Sequence, residues 1–217
     1  MLVDAKGDPR RLHILASLLA YPEDDALDAL RDLLPEATWL AAAIRELERL
    51  PLEDWQAEHT RLFLNGYPRT PCPPFESAYR HGQMGGAVVA DIAALYRRAG
   101  LESREVPPDY LGTLLECVAW LEEEGDPACL LAELWEKHLL GWLPRYALDL
   151  QTHGGLELYR ALGRQLAELC IRPDPSRSRG ASVAQALDSP APSPLVGEDR
   201  GEGSEGFRWT PRSGGGG

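Results

Sequence analysis

The sequence predicts an all-α protein, a single compact multi-helix domain of roughly eight to ten helices over residues 1–171 with a disordered tail over 172–217. Three observations predict it. Apolar residues recur at spacings of three and four almost everywhere before residue 171. Leu and Ala dominate them while Val and Ile are scarce, and no stretch alternates as a half-buried strand would. Prolines sit between the periodic runs rather than inside them, where they would remove a helical donor.

The first runs are Leu12, Leu15, Ala16 and Leu19, then Leu27, Leu30 and Leu34, then Leu40, Ala43, Leu47 and Leu50, with Pro22, Pro35 and Pro51 as stops or starts. Pro51 followed by Glu53 and Asp54 suits the positive end of a helix carrying Trp55, His59, Leu62 and Phe63, which should end near Asn65-Gly66. Tyr67 to Glu76 holds four prolines in ten residues, so it is expected to be a stiff extended loop. Helix resumes from Met84 to Ala99 on Met84, Val88, Ile92 and Leu95, with Gly100 placed for a left-handed cap. A second rigid turn, Val106-Pro107-Pro108-Asp109, precedes a helix on Leu111, Leu114, Leu115, Val118 and Leu121 that Asp109 is expected to cap. Asp126-Pro127 should open the next helix, with Leu131, Trp135, His138, Trp142 and Leu143 on its face until Pro144 kinks or ends it. A short helix through Leu150 and a last one on Leu156, Tyr159, Leu162, Leu166 and Leu169 close the domain.

At 217 residues and 44% hydrophobic, the chain can bury an ordinary core. Beyond residue 171 the composition turns to Pro, Ser and Gly, where burial cannot offset the entropy of ordering. That tail has six arginines and six acidic residues, so residues 1–171 keep 16 basic against 28 acidic groups and the entire net charge of −12. Such a surface repels phosphate backbones and attracts basic peptides, which argues against a nucleic-acid partner. Cys72, Cys117, Cys129 and Cys170 are scattered without CxxC spacing, so no disulfide framework is expected. Met1 to Arg11 has no apolar signal region, and no stretch reaches the roughly 18 to 20 apolar residues that span a bilayer. The expectation is a cytoplasmic protein without stable membrane insertion.

Signatures of chemistry are missing: no HExxH, no P-loop, no GxGxxG after a strand, no paired zinc spacing. No catalytic residue, metal or cofactor is therefore predicted. His59, His81 and His138 stand on separate segments, Trp39, Trp55, Trp120, Trp135 and Trp142 fit core stripes, and Glu122–Glu124 read as a solvated face. The unusual feature is the pair of proline-stiffened corners between helices. The first is followed at once by Phe75, Glu76, Ser77 and Tyr79, a ring, a carboxylate, a hydroxyl and a phenol suited to an extended peptide with apolar and basic parts. The plainer alternative is that Glu76 or Ser77 caps the following helix while Phe75 and Tyr79 fill the core.

These corners carry a resemblance. Glu58-His59-Thr60-Arg61-Leu62-Phe63 followed by Pro71-Cys72-Pro73-Pro74-Phe75-Glu76-Ser77-Ala78-Tyr79 resembles the first signature of the TorD/DmsD/NarJ family of redox-enzyme maturation chaperones. Pro108-Asp109-Tyr110-Leu111 with Leu115-Glu116 is similar to its second signature, with Tyr110 where the family usually has His. The likeness spans about residues 10 to 170. It implies a helical, non-enzymatic chaperone that binds the twin-arginine signal peptide, or another N-terminal segment, of the apo catalytic subunit of a molybdenum oxidoreductase before cofactor insertion and export. It also leaves room for a homodimer. A twin-arginine leader combines two guanidinium groups with an apolar stretch, so its receptor needs carboxylates beside an apolar groove. On that reading Glu76 and Asp109 supply charge, Phe75, Tyr79, Tyr110 and Leu111 supply the groove, and Pro74, Ser77 and Pro108 complete the site. The two corners are expected to be neighbours in space. The alternatives are a nitrate-reductase-type assembly factor for a subunit that is not exported, and a small helical enzyme or ligand sensor using His59, Cys72 and Tyr79. Family members are associated with guanine nucleotides, but Gly82, Gly85 and Gly86 lack the Lys and Ser/Thr of a phosphate loop, so no nucleotide is predicted.

Overall fold

The computed structural model describes residues 8–103, 106–125 and 129–171. The tail expected over 172–217 and the Asp126-Pro127 helix start lie outside these residues. Within them the chain forms ten α-helices and no strand: α1 Pro9–Ser17, α2 Ala26–Leu33, α3 Ala41–Leu47, α4 Leu52–His59, α5 Glu76–His81, α6 Ala87–Arg98, α7 Leu111–Glu124, α8 Leu130–Glu133, α9 Leu143–His153 and α10 Glu157–Leu169. The all-α class is as expected. None of the described helices is long and apolar enough to cross a membrane.

The helix ends follow local chemistry. Asp8 accepts the Arg10 amide at 3.1 Å and Pro9 opens α1, where a missing N–H costs nothing. Glu53 and Asp54 occupy the first turn of α4, whose last residues widen into a π turn over Thr60–Leu64 and stop at Asn65. Gly100, at φ +77°, receives the end of α6 as expected. Helix α6 starts at Ala87 rather than Met84, because Gly85 and Gly86 adopt φ of +93° and +91° and hold the chain out of helix. Pro144 enters as one of the first residues of α9, so the break falls before it, after a π turn over Leu134–Leu139.

Helix α1 lies along α7, and α9 along α10. In the shared core Leu12, Leu15, Leu40, Leu62, Ile92, Leu114, Leu150 and Leu162 are sealed from solvent. Trp55 and Trp142 are buried, while Trp39, Trp120 and Trp135 pack half-buried on the core. The Trp55 indole donates to the Tyr159 hydroxyl at 3.0 Å, tying α4 to α10. At the α9–α10 crossing, a Cβ on Gly163 would stand 2.7 Å from the Ala147 carbonyl oxygen and 2.9 Å from Gln151 Cγ. Gly163→Ala is expected to destabilise the fold by about 1–3 kcal/mol through overpacking, read as a lowered urea midpoint with an unchanged slope.

Candidate functional site

The two proline corners meet. Phe75 and Tyr110 pair as an isolated antiparallel bridge, flanked by Glu76 N–H donating to the Asp109 carbonyl at 3.1 Å and Leu111 N–H donating to the Pro74 carbonyl at 2.9 Å. Proline has no amide hydrogen, so each corner has few donors, and one from each, the Glu76 and Leu111 amides, crosses to the other corner. The Phe75 and Tyr110 rings lie 5.5 Å apart at 49°, both half-buried. The Tyr96 hydroxyl donates to the half-buried Pro108's carbonyl at 2.8 Å and holds the second corner on α6.

Asp109 does not cap α7, which is the first correction to the sequence expectation. The residue preceding α7 is Tyr110, with no side-chain cap. The Asp109 carboxylate turns to α5, where one oxygen accepts the Ser77 amide at 3.0 Å and the Ser77 hydroxyl at 2.5 Å. The Ser77 hydroxyl oxygen in turn accepts the Gly85 amide at 3.0 Å. Asp109 thus caps a helix 32 positions away, where its charge faces the positive end of α5.

Glu76 is wholly buried. One carboxylate oxygen accepts Arg80 Nη1 at 2.6 Å and the other lies 3.1 Å from Nδ1 of the buried His138. Neither Glu76 nor Asp109 offers charge to solvent, so the expectation that they supply it to a cleft is corrected: both acids are consumed in joining the corners to α5 and to the π turn over Leu134–Leu139. Pro74, Ser77 and Leu111 are likewise buried. Tyr79 is half-buried, packed on Trp142 and Tyr146, and donates to Asp149 at 3.0 Å. Of the nine predicted residues, Phe75, Tyr79, Pro108 and Tyr110 keep exposed surface.

Beside the second corner runs a groove of about 570 Å³ between the end of α1, α2 and the start of α7, lined by Ala16, Leu18, Tyr21, Pro22, Ala26, Ala29, Leu30, Leu33, Trp55, Val106, Tyr110, Gly112, Thr113 and Leu158. Its charged lining residues are Glu23, Asp25 and Glu116, all acidic. Gly112 explains how Tyr110 becomes its wall: a Cβ there would stand 2.5 Å from Tyr110 Cε1, so only glycine lets the ring fold back on α7. The Tyr110 hydroxyl donates to the Leu19 carbonyl at 2.9 Å, a main-chain acceptor left over as α1 ends. This groove, with its acids on α7 and after α1, was missed in the sequence. The signal within reach was Glu116 beside Leu115 in the second signature.

The residues of the enzyme alternative do not form a reactive set. Burial lowers the pKa of His59, which points Nε2 at the Leu19 carbonyl at 3.2 Å, and burial, with Asp149 nearby, pushes the Cys72 thiol up to about 12. A thiol that stays protonated at neutral pH is a poor nucleophile. His81 is exposed at the end of α5. Among the described residues, no three His, Cys, Asp or Glu side chains are grouped to hold a metal ion.

Comparison with known proteins adds an independent line. The family profile described as nitrate reductase delta subunit matches residues 20–147. The chain is 27% identical over 160 residues to the chaperone protein YcdY of Escherichia coli (strain K12), covering 69% of this chain and 84% of that protein. It is 34% identical over 130 residues to the Tat proofreading chaperone DmsD of Salmonella typhi, covering 57% of this chain and 59% of that one. Among solved structures it is similar to an Archaeoglobus fulgidus protein described as a redox enzyme maturation protein, with a TM-score of 0.57 and 25% identity over 75% of this chain and 93% of the other.

Proposed function

Because this chain belongs to the nitrate reductase delta subunit family, and is thereby a redox-enzyme maturation chaperone rather than an enzyme, we propose that it grips the N-terminal leader of an apo molybdenum oxidoreductase subunit in the groove walled by Tyr110. The observation that carries this reading is the pairing of an apolar trough with exclusively acidic charged lining residues. An extended or helical leader lays its apolar stretch on such walls and its cations at such a rim. Of the residues singled out in the sequence only Tyr110 lines this groove, with the Phe75 ring packed on it, while Tyr79 faces Trp142 and Tyr146. Pro74, Glu76, Ser77, Asp109 and Leu111 form the frame that fixes Tyr110. The holding takes place in the cytoplasm, before the client is exported. The name of the DmsD relative, a Tat proofreading chaperone, supports a twin-arginine client. The family description supports a nitrate-reductase-type client, which need not be exported.

Titration calorimetry with synthetic leader peptides tests the reading. A twin-arginine leader is expected to bind the wild-type protein, and Tyr110→Ala to weaken it about tenfold or more, as truncation of a central aromatic anchor does. Binding of a non-exported subunit's N-terminal peptide, with no response to a twin-arginine leader, would select the assembly-factor alternative. Failure of both peptides to bind, or indifference to Tyr110→Ala, would overturn the proposal.

A further inference from the structure

Within the acidic groove one carboxylate differs from the others. Glu116 sits on α7 with its side chain 24% exposed, whereas Glu23 and Asp25 are at the open rim and have no ion pair among the described residues. Its Oε2 lies 2.7 Å from His13 Nδ1, and the other ring nitrogen of His13 lies 3.8 Å from Glu123. Burial in the apolar wall raises the Glu116 pKa, against the opposing effect of His13. The neighbouring cations of α1 are engaged elsewhere, Arg10 with Glu36 and Arg11 with Glu168 on α10. Glu116 is therefore a carboxylate short of solvation whose side-chain partner is a single imidazole, itself 42% exposed.

We propose that Glu116 is the receptor for a leader guanidinium, and that binding exchanges His13 for an arginine. The proposal rests on the leader-binding reading given above. A guanidinium carries a permanent charge and two parallel N–H donors that fit both carboxylate oxygens, while the imidazole offers one nitrogen at a surface position, where ion pairs contribute little. The apolar surroundings that leave Glu116 underhydrated strengthen whatever full charge comes to it. His13 then acts as a placeholder: it keeps the acid satisfied in the empty groove and swings to solvent when the client arrives. The arrangement selects arginine over lysine, since a point ammonium cannot make the fork.

A double-mutant cycle in calorimetry decides it, pairing Glu116→Gln with a leader whose two arginines are replaced by glutamine. Glu116→Gln is expected to weaken the arginine leader about tenfold and to leave the glutamine leader unchanged, the difference expected for losing one charge-assisted hydrogen-bond pair. Glu116→Asp, which keeps the charge but shortens its reach, is expected to fall between, and His13→Gln to bind the arginine leader at least as tightly as wild type. Equal weakening of both peptides, or no weakening, would overturn the role of Glu116. If the wild type binds the leader and Tyr110→Ala weakens it while Glu116→Gln does not, only this inference fails; if the wild type binds no leader, the groove reading fails with it.

Discussion

Glu76→Ala is expected to destabilise the protein by about 3 kcal/mol, the upper range for leaving a buried polar partner unsatisfied, which corresponds to a melting temperature lower by roughly 6 °C or more. The carboxylate is wholly buried and divides its oxygens between Arg80 and His138, so deletion leaves the buried imidazole without its partner, while the half-exposed Arg80 keeps the Lys137 carbonyl. Glu76→Gln retains the shape and one acceptor and should lose about half as much, because a neutral amide still answers one of the two donors. Thermal melts of the two variants beside wild type check this. Equal melting temperatures for Glu76→Ala and wild type would mean that the α5 anchor carries no stability.

Asp109→Ala is the second large effect, about 3 kcal/mol, from leaving the Ser77 amide and hydroxyl without an acceptor inside the protein and the positive end of α5 uncapped. Here stability and binding should move together. Asp109 does not line the groove, but its carboxylate ties the second corner to α5 and its neighbour Tyr110 is the groove wall. The variant should therefore lose leader affinity equally for peptides with and without arginines. That uniform loss separates a framing acid from a receiving one and is the opposite of the pattern expected for Glu116. Urea unfolding combined with the same calorimetry checks both halves.

Asp109 and Glu76 depart from what their local sequence implies for one common reason. The helical stripes of α1, α7 and α10 were legible because 3.6-residue periodicity is a property of the segment itself, and the corners were legible because proline constrains its own φ and its predecessor. Asp109 looked like a cap for the helix it precedes, a local inference that holds when the side chain has no better donor. It has one in Ser77, 32 positions earlier. Glu76 is expected to offer charge because a twin-arginine receptor needs carboxylates, and nothing nearby in sequence announces His138 as its buried partner. Helix α5 itself could be foreseen only as something Glu76 or Ser77 caps, since six residues carry too few turns to show a period.

The family signatures placed the corners side by side, and there the contact of Phe75 with Tyr110 agrees with them. They did not say which acids would face a ligand. Whether a carboxylate is a binding group or a frame depends on how many donors surround it, and these come from α1, α5 and the π turn over Leu134–Leu139 at once.

By itself the sequence determined the helical class, the two rigid corners and the acidic balance of the domain, because each follows from dihedral limits, residue spacing or charge counted along the chain. Only the tertiary structure decided that Glu76 and Asp109 are spent inside the fold, and that Glu116, Glu23 and Asp25 border the groove. The physical reason is that burial and hydrogen-bond satisfaction belong to the packed assembly of helices, where the partner that neutralises a charge lies tens of residues away from it.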